Sequence, residues 1–179
     1  MKHSKLESLI LAGLMAAMTT VGTMLIQVPT PMKGYIHIGD AVVYLCGILL
    51  GPVLGGLAAG IGSLFADVFL GYGVYAPATF VIKALDAAVV GLVYTALAGE
   101  APGLTRRLLA FSSAVLLGGS VMILGYLGYE TILYGYAGAV PNIPMNITQA
   151  VGGGLLAYPM VLALSRLNLI RKPTTLHHQ

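Results

Sequence analysis

Residues 66–86 read Ala-Asp-Val-Phe-Leu-Gly-Tyr-Gly-Val-Tyr-Ala-Pro-Ala-Thr-Phe-Val-Ile-Lys-Ala-Leu-Asp. Two apolar runs meet at a turn of Gly71, Tyr72, Gly73, Tyr75 and Pro77, and Asp67, Lys83 and Asp86 stand just inside those runs. A charge at bilayer depth costs about 2.5–3.5 kcal/mol on insertion scales, so such residues usually face a partner or a cavity. This hairpin is therefore read as part of a small-molecule site in an integral membrane protein.

The composition supports the membrane. Of 179 residues, 58% are hydrophobic and 8% charged, and the mean hydropathy is +0.90. A soluble domain carries about 25% charged residues, so this chain lacks the polar surface water demands. Its 24 glycines suit close helix packing in lipid, and with no Trp any interfacial belt falls to 10 Tyr and 4 Phe. The formal net charge of +3 comes from basic residues scattered singly or in pairs, which argues for membrane topology rather than nucleic acid. Cys46 lies inside an apolar run, a poor place for a disulfide or a metal cluster. The first apolar run lacks a clear cleavage site and is read as a retained helix rather than a secretory signal.

The expected architecture is all-α with six transmembrane helices in a single membrane domain spanning 1–179. The spans are 6–28, 38–50, 53–70, 78–98, 108–133 and 145–169. Gly51-Pro52 separates the second from the third as a tight hairpin, and Pro29, Pro31 and Gly34 break the chain after the first. Six spans place both termini on one side. Lys2, Lys5, Arg106, Arg107, Arg171 and Lys172 fall there, with Arg166 near the end of the last helix. The opposite loops hold only Lys33, with Lys83 a turn or two inside a helix. The positive-inside rule then makes both termini cytoplasmic.

With this orientation the polar residues gather in the outer half. His37 and Asp40 start the second helix, Asp67 nears the end of the third, and Tyr72 and Tyr75 lie in the following turn. Lys83 and Asp86 occupy the early turns of the fourth helix, and Tyr126, Tyr129 and Glu130 close the fifth. Tyr134, Tyr136 and Asn142 lie in the last outer loop, and Asn146 and Gln149 begin the sixth helix. The inner half offers little beyond Tyr44, Ser63, Tyr94 and Tyr158. A carrier would spread polar groups along its path or set them at the midplane. A one-sided cluster of rings and directed polar groups suits a pocket open to the outside, for a flat ligand that stacks on tyrosine.

Each residue also has a plainer reading. Lys83 and Asp86, three apart, neutralise each other on one helix face, Asp40 caps a helix, and the tyrosines form an interfacial belt. For Glu130, ligand binding, a salt bridge to Lys83 and simple snorkelling all stay open. The candidate substrate-binding set is Asp40, Asp67, Tyr72, Tyr75, Lys83, Asp86, Tyr129, Glu130, Tyr134, Asn142, Asn146 and Gln149. Lys83 and Glu130 are its polar anchors. No nucleotide-binding loop or His-Glu-x-x-His pattern occurs, so no catalytic residue, cofactor or metal site is assigned, and uphill transport requires an engine in another subunit. Ala12-x-x-x-Ala16, with Gly13-x-x-x-Ala17 one residue on, gives a small-residue helix face for a partner or for internal packing.

Three stretches, Gly34-Tyr-Ile-His-Ile-Gly-Asp40, Leu50-Gly-Pro-Val-Leu-Gly-Gly56 and residues 71–86, resemble the substrate-binding S components of energy-coupling factor (ECF) vitamin transporters. The resemblance covers nearly the whole chain and looks closest to the branch for hydroxymethylpyrimidine or pyridoxine. It implies tight capture of a vitamin or precursor near the outer face, with residues 27–36 as a lid. It implies assembly with a membrane coupling subunit, met through Ala12 and Ala16, and with two cytoplasmic ATPases. It further implies toppling in the bilayer to release ligand inside, and residence in the cell membrane of a prokaryote. The rival readings are a self-sufficient secondary transporter and a non-catalytic scaffold subunit.

Overall fold

The computed structural model describes residues 5–29, 35–99 and 103–166. Lys2, Lys33, Arg171, Lys172, the middle of the expected lid and the last three residues of the expected sixth span lie outside the described residues.

Among the described residues the fold is all-helical apart from one small ribbon. Helix α1 (Lys5–Leu25) leads into two short antiparallel strands, β1 (Gln27–Pro29) and β2 (Tyr35–His37), with Gln27 paired to His37 and Pro29 to Tyr35. Then come α2 (Asp40–Phe69), α3 (Ala76–Ala98), α4 (Leu104–Tyr134), the single turn α5 (Tyr136–Ala139), a 3-10 turn (Val140–Asn142) and α6 (Ile143–Arg166). Among the described residues, five helical stretches are long and apolar enough to cross a membrane: α1, α2, α3, α4 and the run Tyr136–Ser165. Large apolar side chains such as Leu9, Val53, Leu92, Leu116 and Ile132 cover the exterior. That is the surface a bilayer solvates, since lipid tails replace water as its neighbour.

Helix α2 breaks at Gly51, whose φ of 79° and ψ of −179° are not helical. Only glycine adopts that conformation cheaply, and Pro52 behind it sits at the first turn of the second arm, where its missing N–H costs nothing. A continuous helix would hold residues 46 and 55 about 14 Å apart. Instead Gly55 lies so close to the Cys46 carbonyl that a Cβ there would collide with it. The chain reverses at Gly51, and its two arms pack against each other.

The first arm runs alongside α3 in the same direction. Gly47 meets the backbone of Ala87 and Gly91, so two glycines let these backbones touch. The second arm runs opposite to α3, with Gly56 against Ala84 and Gly60 against Phe80. α2 makes its most extensive contacts with α3. Between them lies a core that includes Val43, Tyr44, Leu45, Cys46, Ala87 and Val90.

One end of the bundle is polar. The C-terminal ends of α1, α2 and α4 and the N-terminal ends of α3 and α6 converge there, because Thr23, Asp67, Tyr75, Glu130 and Asn142 all line one cavity. Lys5, Arg106 and Arg107 belong to the opposite ends of their helices. There Arg107 donates to Ser165 and ties α4 to α6. The segment read as an outer loop contains α5 and the 3-10 turn, which seat Asn142 in the bundle.

Candidate functional site

The β1–β2 ribbon leaves α1 and dips into the polar end of the bundle. Its anchor is Gln149 of α6, whose side-chain carbonyl accepts the His37 backbone N–H at 3.1 Å. The His37 ring turns back on its own chain, Nδ1 accepting the Gly39 N–H at 3.0 Å. Burial pushes this imidazole down to about 4, with Lys83 lowering it further and Asp40 opposing.

Tyr35 enters beside it. Its hydroxyl donates to Asp67 Oδ1 at 2.7 Å, and its ring lies 4.7 Å from that of Tyr72 and 5.4 Å from His37. Burial, then the Asp67 carboxylate, pushes this phenol well above its usual range, so it remains a proton donor.

Two polar layers sit under the ribbon. In the upper one Glu130 Oε1 accepts the Asn142 amide at 2.9 Å and faces the Tyr75 hydroxyl at 3.5 Å. The Tyr126 hydroxyl meets Thr79 Oγ1 at 3.2 Å. In the lower layer Lys83 and Asp40, both fully buried, form a salt bridge. Lys83 also contacts Met122 Sδ at 2.7 Å, and the Gln149 amide donates to Asp40 Oδ2 at 3.0 Å. Asp86, fully buried beside them, has neither carboxylate oxygen hydrogen-bonded among the described residues.

The cavity between ribbon and upper layer holds about 40 Å³, room for a few waters. Of the sequence-derived set it takes its lining from Asp67, Tyr72, Tyr75, Glu130, Asn142, Asn146 and Gln149. Asp40, Lys83 and Asp86 lie beneath it rather than on its wall. Lys83 pairs with Asp40 in place of Asp86 or Glu130, because the first arm of α2 starts two turns below the outer end of α3 and brings Asp40 level with Lys83. Asp40 thus joins a buried ion pair, and no side-chain cap forms at the start of α2. Tyr129 turns aside to donate to the Val74 carbonyl, and Tyr134 is exposed.

The sequence-derived set omits Thr23, Tyr35, His37, Ser63, Thr79, Tyr126 and Met145, which also line the cavity. Lone hydroxyls on apolar helices carry little signal. Tyr35 belongs to a stretch expected to cover the site rather than to fill it.

On α1, Ala12 and Ala16 are half-buried against the bundle, and Gly62 touches the Ala16 carbonyl. The outward small-residue face is that of Gly13 and Ala17. No group of three or more metal-ligating side chains occurs among the described residues.

A sequence profile of the ECF-type riboflavin transporter S component family matches residues 3–166. An uncharacterised protein of Pyrococcus woesei is 41% identical over 137 residues, covering 75% of this chain and 85% of its own. Among solved structures, the S component of a bacterial ECF transporter superposes with a TM-score of 0.67 at 20% identity, covering 92% of this chain and 99% of that one. At that identity the likeness is one of fold.

Proposed function

We propose a function on the premise of family membership, because this chain belongs to the ECF-type riboflavin transporter S component family, a family of substrate-binding rather than catalytic subunits. On our reading it captures a ring-bearing vitamin or vitamin precursor at the outer face of a prokaryotic cell membrane. It then delivers that ligand through a membrane coupling subunit and two cytoplasmic ATPases. Six crossings with both termini cytoplasmic fit this reading, with the reversal at Gly51 dividing α2 into two spans. The basic residues Lys5, Arg106 and Arg107 at the end opposite the cavity satisfy the positive-inside rule.

The observation that carries the reading is the polar cavity at one end, closed over by the chain's own aromatic ribbon. Its 40 Å³ is too small for a vitamin ring, so binding requires the ribbon carrying Tyr35 to withdraw. The family profile favours a flavin. The sequence resemblance favours hydroxymethylpyrimidine or pyridoxine. Both are flat rings with hydrogen-bonding substituents. The exposed Gly13 and Ala17 face of α1 is the surface we expect the coupling subunit to meet, with Ala12 and Ala16 behind it.

The test is to purify the protein from cells in rich medium, denature it, and identify the released small molecules by mass spectrometry. Asp67→Asn/Glu130→Gln serves as control. A stoichiometric heterocycle that the control lacks is expected. Absence of any such molecule, with no melting shift from riboflavin, pyridoxine or hydroxymethylpyrimidine, favours the scaffold reading instead.

A further inference from the structure

The fully buried hydrogen-bonding groups left open in the cavity lean towards acceptors. Five side-chain atoms on its wall are buried with no hydrogen-bond partner among the described residues: Asp67 Oδ2, Glu130 Oε2, Asn142 Oδ1, Thr23 Oγ1 and Ser63 Oγ. With the two carboxyls ionised the first three are acceptors only, and the two hydroxyls serve either way. Three of the wall's donors are already spent on these carboxylates, while the half-buried Tyr72 hydroxyl and Asn146 amide, also on the wall, have no hydrogen-bond partner among the described residues. Tyr35 gives its proton to Asp67, and Tyr75 and the Asn142 amide give theirs to Glu130. The buried ammonium beneath the cavity, Lys83, is held by Asp40 and does not line the wall. No cationic side chain among the described residues does.

A buried acceptor without a donor is destabilising, more so when it is charged, so the bound molecule has to supply what the wall lacks. Resting on the transport reading above, we infer that the site selects a ligand rich in N–H and O–H donors and neutral or cationic in charge. It rejects the phosphorylated or carboxylated form of the same ring. Tyr35 already shows the pattern: an aromatic ring, flanked by Tyr72, that donates an O–H to Asp67. The ligand replaces that ring and that proton. An anionic substituent would meet two carboxylates with no cationic side chain on the wall among the described residues, and like charges brought together there repel it.

Two matched pairs of probes test this on the full chain in detergent, by calorimetry and melting shift. They are riboflavin against riboflavin phosphate, and pyridoxamine against pyridoxic acid. The molecule released on denaturation is assayed for net charge alongside. In whichever pair binds, the anionic member is expected to bind about a hundredfold more weakly or not at all. Asp67→Asn and Glu130→Gln should narrow that gap. The released molecule should carry no net negative charge. Equal or tighter binding of the anionic member, or an anionic released molecule, overturns the inference and leaves the transport reading standing. If no probe binds and nothing is released, the binding-site reading falls and this inference with it.

Discussion

Lys83 and Asp40 are 43 residues apart in sequence, and both are fully buried. Taking one of them away strands the other charge in an apolar interior, which costs about 3–5 kcal/mol, whereas replacing both is often close to neutral. Lys83→Met should therefore lower the melting temperature sharply in detergent, and adding Asp40→Asn should restore most of it. A double variant no better than the single would place the energy of this contact elsewhere, for example in the Met122 and Gln149 contacts. His37 gives a pH dependence. Its folded value of about 4 lies below the ordinary value of 6.5, so the unfolded chain takes up the proton first. Stability contributed here is intact above pH 6.5 and falls as pH drops towards 4. His37→Asn should show a shallower loss of melting temperature over that window, and parallel curves would remove His37 as the cause. The sequence reading put His37 in the outer polar cluster and Tyr35 in the expected lid, but a short stretch between apolar runs did not show that both side chains line the cavity. The Asp40 partnership was hidden too, since it depends on how deep in the bundle α2 begins.

At the scale of elements, the break at Gly51-Pro52 was legible because glycine and proline punctuate helices for stated backbone reasons. The antiparallel ribbon was not, since three-residue strands leave too short an alternation to read. Nor did spacing show which small-residue face of α1 looks outward, because neighbouring residues differ by only about 100° around a helix. The glycine contacts between α2 and α3 leave no space for a side chain at Gly47 or Gly91. Gly91→Val should force these backbones apart and destabilise the bundle by about 1–3 kcal/mol or more. Val at Gly73, which has open space around it, should not. Equal melting temperatures for the two variants would mean that the α2–α3 crossing yields more easily than its geometry implies.

At the scale of the molecule, composition alone fixed the solvent as lipid, and one-sided polarity located the pocket end. The ligand-facing inventory emerged only from the packing. A cavity with spare acceptors is built by five helix ends meeting, and no single helix carries that pattern. On the proposed reading, the ribbon over the cavity of 40 Å³ gives up the place of the Tyr35 ring to the ring of the ligand. Partner subunits, on the same reading, supply the energy with which this receptor concentrates its ligand. The most direct measurement is uptake of the identified ligand into proteoliposomes, with this chain alone and with the coupling subunit and ATPases added. Uptake that needs the added subunits and ATP is expected. Uphill uptake by this chain alone, driven by a proton or sodium gradient, would contradict the account and make the protein a self-sufficient carrier.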